Sequence, residues 1–424
     1  MKYGVLIHKT TTNVGDDFQS YAAARLLPRV DYIINRETID EFESENNETV
    51  ACIMNAWWMW NKWHFPPSSC IYPKFLSFHY SEYGKDRMAN NGMEFVTYQF
   101  LEGKGKDYMN YYGPIGCRDV VTMNALQELG INAYFSGCMT LTLDRFPVSD
   151  TENKKDYICL VDVSKEVEEK VRKTIKERKA TVEVIVQTHF NDYRETRPDW
   201  EGRKREVERR LKLYQNARCV ITRKLHCALP CLALEVPVLL VNPDFISTRF
   251  QPYYDWLHKA TTKEFLNDDY DYDILAPKPN PENYLPIREQ LKKQVAQFVS
   301  SMEKEPKIDR FDQNTSEFVE WRIRTMKSVL DQAHWDYREK YAAIQKKTGE
   351  CSKKDKKIAD LNREISKVRS DSKNEEAALK KQIQILEKEI EKRDKILNAR
   401  MIKPVVKLRK KLEKTGLFKK KKRS

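Results

Sequence analysis

Short apolar runs alternate with helix-length segments in two separate series along this chain, and no other feature restricts its fold as much. The first series opens with Tyr3–Ile7 (YGVLI), a polar loop (HKTTTNVGDD) and a helical FQSYAAARLL with Asp16 or Asp17 as its cap. Strands at Tyr32–Ile34 and Val50–Met54 follow. Residues 55–115 are aromatic and Pro-containing and give no clean period. The pattern resumes with a helix in CRDVVTMNALQELG, closed by Gly130, and a strand at Asn132–Phe135. Residues 145–156 (RFPVSDTENKKD) read as a linker. The second series has strands at Tyr157–Val163, Val182–Gln187, Cys219–Thr222 and Pro237–Val241. Helices at Lys165–Arg178, Glu206–Asn216 and Leu225–Leu234 separate them. Repeated βαβ units imply a parallel sheet covered by helices. Two such series predict an α/β chain of two Rossmann-like domains, 1–150 and 151–310, facing each other across a cleft.

The remainder has another period. Ile358, Leu361, Ile365 and Val368, then Leu379, Ile383, Leu386, Ile390 and Leu397, repeat at heptad spacing with one stutter. No Pro or Gly interrupts Glu350–Ile402. Residues 311–402 therefore predict a helical or coiled-coil extension, with a homo-oligomer as one consequence. Ser372 and Arg393 fit a solvated single helix equally well.

Charge is concentrated at one end. Arg400–Ser424 holds twelve Lys/Arg against one Glu, which is +11 of the chain's net +13. The body is close to neutral, so no nucleic-acid partner is expected. Residues 403–424 place Val405, Leu408, Leu412, Leu417 and Phe418 among the cations. That composition suits a basic amphipathic segment on an anionic membrane surface, and equally a solvated tail. The nine cysteines form no CxxC pair, there is no secretion signal, and no window is long and apolar enough to span a bilayer. These features predict a cytoplasmic protein, peripheral on the inner face of the membrane if the tail binds lipid.

Three polar segments sit where strands end and helices begin. In VITRKLHCALP, Arg223, Lys224 and His226 precede or open a helix. Cations are unfavourable at the positive end of a helix dipole, whereas anions bind there, so the segment asks for a phosphate or carboxylate. Solvated Arg223 and Lys224 with a core-packed His226 fit as well. In GCRDVV, Asp119 suits an N-cap and Arg118 points to the cleft or pairs locally with Asp119. In NVGDDFQS, Asn13, Asp16, Asp17 and Gln19 could bind sugar hydroxyls or supply a base. Trp57, Trp58, Trp60, Trp63 and His64 form an aromatic loop suited to core packing or a sugar ring. His8 and His189 also fall at strand ends. The histidines and cysteines have no metal-ligand spacing, and neither a P-loop nor a GxSxG is present.

NVGDDFQSYAAARLL, CRDVVTMNALQELGINAYFSGCMTLTL and ARCVITRKLHCALPCLALEVPVLLV, in this order, resemble the polysaccharide pyruvyl transferase family. The resemblance implies a GT-B-like fold and transfer of the pyruvyl group of phosphoenolpyruvate (PEP) to sugar hydroxyls as a ketal, in cell-surface or extracellular polysaccharide synthesis. It implies a saccharide acceptor, free or lipid-linked, with PEP as co-substrate and no cofactor or metal. Arg118, Arg223, Lys224, Leu225 and His226 then bind PEP. Asn13, Asp16, Asp17 and Gln19 become acceptor-side or structural. Lys224 stands where the family carries Arg, and a lysine lacks the bidentate grip of a guanidinium. Ketal formation needs an acid at the PEP methylene, for which His226 is the candidate. Two other readings suit the same residues: a GT-B glycosyltransferase with a nucleotide-sugar donor, and a non-catalytic coiled-coil scaffold.

Overall fold

The first strand, β1 (Lys2–Ile7), is buried along almost its whole length, as expected for a parallel strand covered on both faces. The computed structural model describes residues 1–55, 64–80, 100–147, 156–187, 199–304, 309–351 and 355–399. After β1 come α1 (Val14–Leu26), β2 (Tyr32–Asn35), β3 (Val50–Ile53) and β4 (Ile71–Lys74). Then follow α2 (Lys104–Tyr111), β5 (Ile115–Cys117), α3 (Val120–Glu128) and β6 (Ala133–Phe135). The order β2-β1-β3-β4 is parallel throughout. The segment after β4 carries it on to β5. Gly116 N–H donates to Phe75 O (3.0 Å), Phe78 N–H to Gly116 O (2.9 Å) and Arg118 N–H to Phe78 O (2.8 Å). β5 in turn pairs with β6 in parallel.

The second sheet comprises β7 (Tyr157–Val161), β8 (Glu183–Gln187), β9 (Cys219–Thr222), β10 (Val238–Asn242) and β11 (His258–Thr261). It runs β11-β10-β9-β7-β8, again parallel. Its helices are α4 (Lys165–Glu177), α5 (Trp200–Gln215), α6 (Leu225–Ala233) and the short α7 (Thr262–Leu266). In both sheets the strand order reverses beside the first strand of the series, the place where open α/β sheets leave a crevice for ligands.

Local chemistry explains several boundaries. Asn13, not Asp16 or Asp17, caps α1: its Oδ1 accepts from Gly15 N–H at 2.9 Å. This corrects the expected cap and lets both aspartates face arginines instead. Helix α5 begins at Trp200 rather than Glu206, because Asp199 caps it by accepting from Gly202 N–H at 2.5 Å. The cation-rich WEGRKR turn hides that start from an apolar periodicity. Gly130 takes a positive φ of 72° after α3. Its N–H donates to Gln127 O and that of Ile131 to Leu126 O, both at 2.9 Å. This is the Schellman closure that glycine favours.

Both sheets belong to one compact unit, Met1–Phe318, and Val319–Ser424 is the second. Within the first, α1 is fastened to α5: Phe18 meets Tyr214 edge-on at 6.2 Å, and the Tyr21 hydroxyl donates to Glu208 Oε1 at 2.9 Å. Apolar residues of α1, α5, α6 and α8 (Leu285–Lys304) form one core cluster. The expected linker falls largely on residues 148–155, outside the described residues. Its start is pinned, with Phe146 N–H donating to Gln215 Oε1 at 2.7 Å.

The C-terminal region is helical: α9 (Ser316–Cys351) and α10 (Asp355–Ala399). In α10, Leu379 and Leu386 are buried. Leu386 and Ile383 share a cavity of about 200 Å³ with Ile323, Met326 and Leu330 of α9. The heptad positions of α10 therefore meet a helix of the same chain. The expected basic amphipathic tail, 403–424, lies outside the described residues.

Candidate active site

Arg118 follows β5 directly and is completely buried. Its backbone is held from both sides: its N–H donates to the Phe78 carbonyl, and the Arg118 carbonyl accepts from the Tyr253 hydroxyl. The guanidinium Nη1 donates to Gln19 Oε1 of α1 at 3.1 Å. It also lies 3.5 Å from His226 Nε2 in the first turn of α6. A residue after β5, one in α1 and one after β9 thus converge, separated by 99 and 108 positions in sequence. The expected pairing of Arg118 with its neighbour is not what orients Asp119. Asp119 caps α3 through Thr122 N–H at 2.8 Å and bonds His79 Nδ1 at 2.5 Å.

The turn from β9 to α6 is built by Thr222. Its hydroxyl donates to Val161 O at 3.0 Å and accepts from Lys224 N–H at 2.9 Å. Lys224 occupies the N-cap without a side-chain cap bond. Pro230 lies inside α6 and has no N–H for the carbonyl of His226, four residues earlier. Arg223 is exposed. Lys224 Nζ lies 3.4 Å from Asp162 after β7. Leu225 and His226 are buried with α6.

Asp16 and Asp17 have separate duties. Asp16 accepts from Arg36 Nη1 at 3.1 Å and from Thr11 Oγ1 at 2.5 Å, and His8 Nδ1 is 3.6 Å away. Burial opposes its charge, but Arg36, His8 and Thr11 outweigh burial and hold the carboxyl well below the usual range. Asp17 accepts from Arg203 Nη1 of α5 at 3.2 Å, which makes it a fastening between helices. His64 Nδ1 faces Asp40 at 2.6 Å. Trp57, Trp58, Trp60, Trp63 and His189 lie outside the described residues.

Burial lowers the pKa of both histidines beside Arg118. Burial, then Arg118 and Arg249, push His226 far down, with Asp16 pulling weakly the other way. Burial and Arg118 push His79 down to about 4 despite Asp119. Asp119 itself is brought to about 2: burial resists, but the bond from His79, Arg118 and the Thr122 N–H overcome it. After burial, the causes at both imidazoles include Arg118 and Arg249, a local positive potential of the kind that favours an anionic ligand.

His79, Arg36 and Arg249 escaped the sequence reading. His79 ends an apolar run, KFLSF, and so occupies the same strand-end position as Arg118. Arg249 lies in a turn in which Phe250 N–H donates to Ser247 O at 3.0 Å, just before the Gln251–Trp256 turn that carries Tyr253. Nothing in NPDFISTRFQ marks it. Among the described residues there is no group of three or more His, Cys, Asp or Glu placed to hold a metal ion, and no helix is long and apolar enough to cross a membrane.

Residues 91–244 match the family model for polysaccharide pyruvyl transferase. The match includes Arg118 and Thr222–His226 but not Asn13–Gln19. No curated protein matches the chain. Among solved structures, S. aureus MnaA in a co-structure with UDP is 10% identical, covers 73% of this chain and 100% of its own, and has a TM-score of 0.38. The Methanocaldococcus jannaschii UDP-GlcNAc 2-epimerase in complex with UDP-GlcNAc and UDP is 12% identical, with 78% and 100% covered and a TM-score of 0.33. Both likenesses are too distant to bear on the chemistry of this chain.

Proposed function

We propose that the chain is a PEP-dependent pyruvyl transferase acting on a saccharide, with Arg118 and the N-terminus of α6 as the donor site. The observation that carries this reading is the burial of Arg118 against His226, 3.5 Å apart, inside the segment that matches the family model. PEP bears a phosphate and a carboxylate, and fixed cations with helix N–H groups suit both. Lys224 reaches the same ligand if PEP draws it from Asp162. The acceptor is a sugar diol, lipid-linked if residues 403–424 bind an anionic membrane surface.

In the reaction, C3 of PEP gains a proton and C2 becomes electrophilic. One sugar hydroxyl adds to C2, and a second displaces phosphate, which leaves with the electron pair of the C2–O bond. His226 is the acid for C3. Burial, Arg118 and Arg249 lower its pKa, and the negative charges of PEP offset the two guanidinium groups. Binding therefore takes up a proton.

Calorimetry with PEP and with UDP-GlcNAc tests the donor. PEP binds with proton uptake, seen as a heat that varies with buffer ionisation enthalpy, and UDP-GlcNAc does not bind. Arg118→Ala abolishes the PEP heat. His226→Ala retains PEP binding but lowers phosphate release by about 10²–10⁴-fold. Binding of UDP-GlcNAc and none of PEP would overturn the proposal.

A further inference from the structure

We propose that His79, held by Asp119, is the base that takes the proton of the attacking sugar hydroxyl, a role separate from that of His226. The inference rests on the pyruvyl-transfer reading and adds a residue to it.

His79 is placed by the sheet. Phe78 pairs with Cys117 in parallel, so His79 emerges at the same edge as Arg118. Asp119 is fixed first by the helix it caps: Oδ1 accepts from Thr122 N–H at 2.8 Å. Its Oδ2 is then left for His79 Nδ1 at 2.5 Å. The Thr122 hydroxyl accepts from Tyr80 N–H at 3.1 Å, which holds the chain on the far side of His79. An ionised carboxylate only accepts, so Nδ1 carries the ring proton and Nε2 of the neutral ring carries the lone pair.

The charged groups facing His79 are Asp119, Arg118 and Arg249, and His226 also interacts with it. When Nε2 takes a proton, Asp119 stabilises the imidazolium, as a carboxylate does behind any histidine base. His226 is differently placed. Its Nε2 faces the Arg118 guanidinium, so it gains a proton only when an anion is bound. Two imidazoles in unlike surroundings can hold a proton for C3 and a lone pair for the hydroxyl in one complex, which a single ring cannot.

The atoms balance. The hydroxyl O–H breaks, its oxygen bonds C2, and the proton goes to His79 Nε2. His79 then passes a proton to the departing phosphate. The second hydroxyl's oxygen bonds C2 as the C2–O bond to phosphate breaks, and its proton goes to His226, replacing the one that ring gave to C3. The diol thus loses two protons, balanced by one in the new methyl group and one on phosphate.

The test uses the full chain with PEP and a panel of methyl glycosides carrying free vicinal or 4,6-diols. In wild type, long-range ¹H–¹⁵N spectra show His79 as the Nδ1–H tautomer at neutral pH. His79→Gln keeps PEP affinity within about threefold and lowers acceptor-dependent phosphate release by about 10²–10⁴-fold. Asp119→Asn preserves the helix cap through its amide oxygen, but its NH2 then donates to His79 Nδ1, forces the Nε2–H tautomer and lowers acceptor-dependent phosphate release by a similar ~10²–10⁴-fold. A His79→Gln enzyme that folds and releases phosphate at the wild-type rate overturns the role of His79 alone. So does a wild-type spectrum showing the Nε2–H tautomer. Wild type that fails to bind PEP overturns the pyruvyl-transfer reading, and this inference with it.

Discussion

Burial and Arg118 act on His226 and His79 in the same direction, and the consequence reaches beyond catalysis. Both rings titrate lower in the folded protein than in the unfolded chain, where histidine sits near 6.5. Below that pH the unfolded chain binds protons that the folded protein refuses, so stability falls as pH falls. Each ring contributes up to about 1.4 kcal/mol per pH unit. The window opens near 6.5 and extends down to about 4 for His79. Denaturant unfolding between pH 7 and pH 5 should show this loss, and His226→Gln should reduce its slope. A midpoint flat across that range in the wild type would mean that the rings are protonated when folded. Arg118 and His226 were legible as single residues because each follows an apolar strand and opens a helix. Their meeting was expected only through the family resemblance, since the residue pattern itself carries no signal for which of many strand ends meet.

At the scale of elements, the turn that presents His226 depends on Thr222. One hydroxyl ties β9 to β7 through Val161 O and the helix entry through Lys224 N–H. Thr222→Val keeps the shape and strands a buried carbonyl and an N–H. It should cost about 1–3 kcal/mol and weaken PEP binding more than a distant core substitution of equal cost, as read by thermal unfolding and calorimetry. Equal PEP affinity in a destabilised Thr222→Val protein would separate the turn from the site. In the second series Cys219–Thr222 and Leu225–Ala233 were readable nearly to the residue, because they switch period cleanly from apolar run to helix; the start of α5 and the strand β11 were not. The first series was readable up to β3. Beyond it, the chain between β3 and β5 carries Tyr72, Tyr111 and Tyr112 in ring-to-ring contact, where aromatic packing replaces periodicity as the organising force. His79 was lost in that stretch.

At the scale of the whole molecule, the first unit brings together residues from both sheets. α1 contributes Gln19, the end of β5 Arg118, the chain after β4 His79, and α6 His226. The reversal of strand order in each sheet anticipates where ligands bind, but not that α1 would be packed onto α5 and α6. The Asp17–Arg203 ion pair, 186 positions apart, has no local pattern to announce it. The heptad run anticipated a long helix in the second unit. Ile383 and Leu386 lie against Ile323 and Met326, a partnership that a seam on one helix cannot specify.

The most direct measurement of the central claim is a crystal structure of the chain soaked with PEP. The account predicts the phosphate or carboxylate within hydrogen-bond distance of the Arg118 guanidinium and the Leu225 and His226 N–H groups, with the methylene beside the His226 ring. PEP bound elsewhere, or an unchanged Arg118–His226 pocket in crystals that bind PEP, would contradict it.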